Sequence, residues 1–379
     1  MTNQEIQTPK QSNPGRILEL DGIRGAAILL VVLYHYVAVP IPVEAGAGLL
    51  FTRQLFSNNW SGVDLFFVLS GFLITGILID HRNTRHYFKV FYIRRLSRIF
   101  PLYYLFLSLF ILAQYFSPRM VLFSQDLFSN PLPILPYYLY LQNFFMAIQG
   151  TFGNEFLAPT WSLAIEEHFY LLLPLLVRIS PPKRLPLNLL FFISLSLILR
   201  TTLGQGTFIG FVLTPWRLDA LMLGSLLAFL FRTPRLLQIL STYRMWIKIA
   251  FGGLFLFLVY RSMTQPLGSL NDLFIFALFY TMLIYLAISD PASLLARVFR
   301  HPALMRLGHI AYGIYLFHQL VNGVLHDLLF KQPPSFQDFP TAFTTLLAFL
   351  LTCLLAQLTY HAFEKRFIAF GHKYSYGSD

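Results

Sequence analysis

The chain has 379 residues, of which 56% are hydrophobic and only 12% charged, with a formal net charge of +11. An average soluble domain carries about 25% charged residues, so this balance excludes a soluble fold and points to a polytopic membrane protein with helices of about 20 apolar residues. The single cysteine, Cys353, excludes a disulfide framework and a thiolate metal site, and is expected only to pack.

Residues 1–16 are polar and run straight into the first apolar segment, 25–39, without a small-residue cleavage site, so an uncleaved first helix is expected. This segment, LDGIRGAAILLVVLYHY, carries Arg24 at its mouth and His35 eleven residues on. At 1.5 Å per residue the two lie about 16 Å apart along the helix, close to three turns, which predicts that both project from one face turned into a bundle. An ionisable group within a span is a functional candidate.

The second segment, 61–80, brings Asp64 into SGVDLFFVLSGFLIT. The third, 99–116, is preceded by HRNTRHYFKVFYIRRLSRIFPLYY, where Arg95 and Arg98 are three residues apart and therefore neighbours on one helix face. Guanidinium forks there suit phosphate groups, and snorkelling anchors are the alternative.

The fourth segment, 131–147, opens with Pro131, Pro133 and Pro136 and is short, which suits a re-entrant or interfacial element. Its aromatic residues, including Tyr137, Tyr138, Tyr140, Phe144 and Phe145, read as an interfacial belt, with stacking on sugar rings as the alternative. The fifth, 161–177, lies in APTWSLAIEEHFYLLLPLL and sets Glu166 and Glu167 about one turn beyond Trp161. Two adjacent carboxylates in an apolar helix cannot both face lipid, so at least Glu166 is expected to face the bundle. A structural ion pair with Arg217 or Arg200 is the other reading. The remaining segments are 185–199, 215–231 with Arg217 and Asp219, 247–260, 271–289, 310–330 and 341–362.

Eleven crossings would divide the basic residues almost evenly between the two sides. Ten crossings, with 131–147 not spanning, place 22 of the 28 Lys and Arg on the side of both termini. The positive-inside rule therefore selects ten spanning helices plus a re-entrant or interfacial segment, with both termini cytoplasmic. The basic excess then reflects topology rather than nucleic-acid binding, and leaves membrane lipids and one anionic ligand as partners. No histidine pair stands with a carboxylate at metal-ligand spacing, and no bound metal is expected.

Five motifs in order, the Arg24/His35 helix, FFVLSGFLIT, RRLSRIFPLYY, TWSLAIEEHFYLLLPLL and LGHIAYGIYLFH, resemble the acyltransferase-3 family of membrane O-acyltransferases over roughly residues 17–366. The resemblance implies a membrane domain over 17–366 between cytoplasmic tails at 1–16 and 367–379, in the bacterial inner (plasma) membrane. It implies transfer of an acyl group, usually acetyl, from cytoplasmic acyl-CoA as co-substrate to a hydroxyl of a cell-surface or lipid-linked carbohydrate acceptor. By the same resemblance His35, Glu166 and Arg24 are catalytic candidates and Arg95 and Arg98 hold the CoA phosphates. Asp64, Trp161, Glu167, Arg217, Asp219 and His318 are candidates for substrate binding. Ala311 stands where the family commonly has Ser, and His168 where Gln is common, so neither is given a role. The chain resembles the stand-alone type, without a hydrolase-like extension.

Chemically, an imidazole can remove the acceptor's proton at neutral pH, and a carboxylate such as Glu166 could orient it if the fold brings the two together. The oxyanion donors are not identified by the sequence, and an acyl-His relay is an alternative mechanism. A proton-coupled transporter would carry similar intramembrane residues, although no internal repeat supports it. A scaffold with structural charges is the third reading.

Overall fold

The computed structural model describes residues 17–119, 122–204, 207–264 and 272–377. The expected tail at 1–16, with Lys10 and Arg16, lies outside the described residues, as do Ser378 and Asp379.

The chain is all-helical in the described residues. Helix α1 (Leu18–Leu33) continues through a π-helical turn at Tyr34–Ala38. A short α2 (Ala47–Leu55) precedes α3 (Gly62–Asp80), and α4 (Tyr87–Phe116) follows. The proline-rich stretch at 131–147 falls on two short helices, α5 (Leu135–Tyr138) and α6 (Gln142–Gln149), neither long enough to cross a bilayer. Then come α7 (Thr160–Ile179), α8 (Leu185–Thr202), the short α9 (Ile209–Val212), α10 (Thr214–Phe231), α11 (Pro234–Thr242) and α12 (Arg244–Thr264). Finally α13 (Leu273–Ser289), α14 (Leu294–Phe299), α15 (Pro302–Phe330), α16 (Phe339–Thr359) and α17 (Lys365–His372) complete the chain.

Each of the ten expected crossings falls on one long helix. Seven spans among the described residues, built on α1, α3, α4, α8, α10, α12 and α16, are long and apolar enough to cross a membrane. Of the others, α13 is apolar but has 17 residues, while α7 and α15 carry internal charged and histidine residues. Prolines at the first turns of α8, α10, α15 and α16 begin those helices where no backbone donor is lost.

Burial divides the bundle into an inner set and an outer one. Helices α1, α3 and α10 are more than half buried, whereas α12 and α8 turn large apolar side chains such as Leu187, Phe191, Leu256 and Tyr260 outward. Apolar residues so exposed suit contact with lipid tails.

Two inner helix pairs meet backbone to backbone. A Cβ at Gly25 of α1 would lie 1.9 Å from the Leu304 carbonyl oxygen of α15, and one at Gly308 would lie 1.9 Å from that of Asp21. The same reciprocal contact joins α3 and α10, where a Cβ at Gly71 would stand 1.9 Å from the Leu221 oxygen and one at Gly224 2.0 Å from the Val68 oxygen. Small residues allow this approach between helices in a lipid setting, where no hydrophobic force drives association.

Other ties are polar. Tyr87 and Tyr92 of α4 donate to the Pro174 and Leu171 carbonyls of α7, at 3.0 and 3.1 Å. The chain end folds back as well: Arg94 of α4 donates to the Tyr374 carbonyl at 2.7 Å, and Tyr376 stacks on His81 at 3.9 Å. In the aromatic stretch after α4, Tyr140 stacks on Tyr103 at 4.4 Å and Tyr137 is fully buried, whereas Tyr138 and Phe144 are exposed.

Replacing Gly25 by Val is expected to force α1 and α15 apart at a cost of about 3 kcal/mol or more. A thermal melt of the detergent-extracted protein checks this, with Gly252→Ala in α12, where nothing lies within 4 Å of the added Cβ, expected to melt like the parent.

Candidate active site in two adjoining cavities

Two cavities open in the bundle. The first, about 320 Å³, is lined by Asp21 and Arg24 of α1, Ser70 of α3, Arg95 and Arg98 of α4, Glu166, Glu167 and Tyr170 of α7, and Tyr312 of α15. The second, about 360 Å³, is lined by Tyr34, His35, Trp60, Trp161, Phe211, Arg217 and Gln319. Val63 and Tyr315 line both, so the cavities share a wall. The Tyr315 hydroxyl is held there by Ser162 Oγ at 2.5 Å and by the Pro159 carbonyl at 2.9 Å.

The basic cavity brings together five of the sequence candidates. Arg24 pairs with Asp21 at 3.2 Å, one turn earlier on its own helix. Arg95 and Arg98, one turn apart on α4, make no hydrogen bond or ion pair among the described residues, so their guanidinium donors are unspent. Their neighbour Arg94 behaves differently, being consumed by the Tyr374 carbonyl. Glu166 is half-buried and stands near the Ser70 and Tyr170 hydroxyls and the Arg95 and Arg24 guanidiniums. Those two hydroxyls are themselves 2.5 Å apart. Glu167 is buried, and its Oε1 has no hydrogen-bond partner among the described residues.

The aromatic cavity holds His35, Trp161 and Arg217. His35 belongs to the π-helical turn of α1, a distortion that recurs at functional sites because it redirects side chains within a helix. Its ring touches His318 of α15, with His35 Nδ1 3.2 Å from His318 Nε2. So His318, rather than Glu166, stands beside the His35 ring, and Glu166 faces the other cavity.

Arg217 and Arg200 pair with aspartates rather than with the glutamates of α7. Arg217 donates to Asp64 at 2.9 Å inside a box of Phe67, Trp161 and Phe211, whose ring centres lie 5.3 to 5.6 Å from its guanidinium carbon. Arg200 and Asp219 pair at 2.5 Å, and Arg200 also donates to the Trp216 carbonyl at 3.0 Å. Asp64 and Asp219 line neither cavity and are spent on these pairs; the reason is the glycine-packed register of α3 against α10, which sets Asp64 opposite Arg217. His168, given no role from sequence, bonds Thr214 Oγ1 at 2.6 Å and ties α7 to α10.

Residues 17–361 match the acyltransferase domain of the acyltransferase-3 family, which covers most of the chain. The chain belongs to that family. Among curated proteins it is similar to the O-acetyltransferase OatA of Staphylococcus aureus strain NCTC 8325 / PS 47, at 27% identity over 372 residues, 94% of this chain and 58% of OatA. OatA of strain MRSA252 matches to the same extent. The chain thus spans a little over half the length of these relatives. No solved structure matches. With its membrane-length helices, this member of the family is an integral membrane protein.

Sequence reasoning missed Ser70, Tyr170, Tyr315 and the His35–His318 contact.

Removing one partner of a buried ion pair strands the other charge. Asp64→Ala is therefore expected to cost about 3–5 kcal/mol, well beyond the effect of Asp80→Ala at the half-exposed Arg232 pair, as read by thermal melts of both variants.

Proposed function

We propose that this protein transfers an acetyl group from acetyl-CoA to a hydroxyl of a carbohydrate or lipid-linked glycan. In this reading the basic cavity admits the donor and the aromatic cavity the acceptor. The observation that carries it is the pair of unspent guanidiniums, Arg95 and Arg98, side by side in a cavity whose far wall adjoins His35. Paired arginine forks with free donors suit the phosphates of CoA. The similarity to OatA, an O-acetyltransferase, supports the same chemistry.

The pantetheine arm would then reach toward the Tyr315 and Val63 wall and present its thioester there. On the other side, the Trp60, Trp161 and Phe211 rings offer apolar faces against which a sugar's C–H face can rest. His35 takes the proton of the acceptor hydroxyl while its oxygen attacks the thioester carbonyl. The tetrahedral intermediate collapses with loss of CoA thiolate, which takes up a proton, and the acetyl ester stays on the acceptor. Arg24 belongs to the donor cavity in this scheme and adds a third guanidinium for the donor, and Glu166 faces that cavity rather than the imidazole. The basic-residue count supports both termini on the cytoplasmic side of a bacterial inner membrane, ten crossings in all, and hence a cytoplasmic donor entrance.

The test is acetyl-CoA turnover by the purified protein in lipid nanodiscs, followed as thiol release, with acetylated glycan detected by mass spectrometry. The double variant Arg95→Ala, Arg98→Ala is expected to raise KM for acetyl-CoA by about tenfold or more, as loss of charge-assisted phosphate contacts requires. His35→Ala is expected to lower kcat by about 10² to 10⁴ and leave that KM nearly unchanged. Glycan acetylation that persists undiminished in His35→Ala would remove it as the base.

A further inference from the structure

The protons of the two contacting imidazoles can be placed from their backbone partners. His318 Nδ1 lies 2.8 Å from the Tyr315 carbonyl oxygen, and His35 Nδ1 lies 3.0 Å from the Val31 carbonyl oxygen. A carbonyl only accepts, so each Nδ1 bears its hydrogen. His318 is fully buried, and among the described residues no carboxylate hydrogen-bonds to either ring, so nothing there compensates a fixed imidazolium. Neutral His318 with its hydrogen on Nδ1 has a lone pair on Nε2, the atom that faces His35 Nδ1 at 3.2 Å. The His35 N–H is thus shared between Val31 and His318, and a hydrogen on His318 Nε2 would bring two donors face to face. What remains on His35 is Nε2, without a hydrogen and without a hydrogen-bond partner among the described residues.

Resting on the reading of His35 as base, we propose that His318 is a positioning residue that fixes the tautomer and orientation of His35, so that the base is its Nε2 atom, open to the acceptor. When Nε2 takes the acceptor's proton, His35 Nδ1–H becomes the donor of a charge-assisted bond to His318 Nε2, which strengthens as positive charge develops. The partner is itself held from behind. The Tyr36 hydroxyl donates to the His318 carbonyl at 2.7 Å and lies 3.1 Å from Thr352 Oγ1, so the residue next to His35 on α1 anchors the backbone of its ring partner.

Nitrogen-15 NMR of histidine-labelled protein in nanodiscs reads the tautomer without any assay of function, the His35 signals being assigned by difference with His35→Gln. The expected spectrum shows His35 Nδ1 protonated and Nε2 bare. A hydrogen on Nε2 would overturn the proposal whether or not the protein is an acetyltransferase. In turnover, His318→Phe is expected to lower kcat about 10²-fold with KM for acetyl-CoA within twofold. His318→Gln, which can return an acceptor oxygen to the place of Nε2, should recover at least a tenth of parental kcat. An unchanged kcat in His318→Phe would overturn the positioning role even if the tautomer stands, and so would equal loss in the Gln and Phe variants when both melt like the parent. Full transfer by His35→Ala would instead fail the underlying assignment of the base, which the NMR result does not depend on.

Discussion

Backbone contact at glycine is the constraint on which the interior depends. Where Gly25 of α1 meets Leu304 of α15, and Gly71 of α3 meets Leu221 of α10, there is no room for a methyl group. A contact that close has one workable register, because sliding either helix by a residue would drive a side chain into a carbonyl. The register in turn decides which polar residues face each other further along the same helices. On α1 and α15 it sets His35 against His318, and on α3 and α10 it sets Asp64 against Arg217. Steric fit between featureless stretches therefore fixes the chemistry one to three turns away.

The two ion pairs show how the fold meets the cost of charge in an apolar interior. Taking an isolated guanidinium out of water costs several kcal/mol even after relaxation, so Arg217 survives only because Asp64 answers it and three aromatic faces enclose it. Arg200 solves the same problem with Asp219 and a carbonyl. Against that background Arg95 and Arg98 are conspicuous, since they lie beside an open cavity and make no hydrogen bond or ion pair among the described residues. Paired arginines stabilise the scaffold; in the proposed function the unpaired ones hold the donor.

This difference also marks how far the sequence could be read. The helical class and the long segments follow from hydropathy alone, and Arg95 with Arg98 follows from a three-residue spacing within one helix. That 131–147 does not form one long helix was legible in its prolines, and the stretch carries two short helices. By contrast, Asp64 and Arg217 are 153 residues apart, and their pairing depends on a glycine contact whose partner no local pattern names. For the same reason the sequence offered Asp64 and Asp219 as substrate contacts without their arginine partners, and Glu166 as orienting His35 only if the fold brought the two together. Arg94 and Arg95 are adjacent and chemically identical, yet only the folded chain end, through Tyr374, shows that one is structural. The π-helical turn at Tyr34–Ala38 has no compositional signature at all.

A neutral imidazole beside His35, where many hydrolases use a carboxylate, fits the physics of the place. A carboxylate next to His35 would be desolvated in the resting state, and would need a cation beside it to remain ionised. The cations on that side are already committed, Arg217 to Asp64 and Arg200 to Asp219. A second histidine asks for nothing: at rest both rings are neutral and their N–H groups are satisfied by carbonyls of their own helices. Its lone pair becomes valuable only when His35 acquires charge. Glu166 lies across the Tyr315 wall, in the cavity lined by Arg24, Arg95 and Arg98, so the charged and neutral parts of the site need not mix.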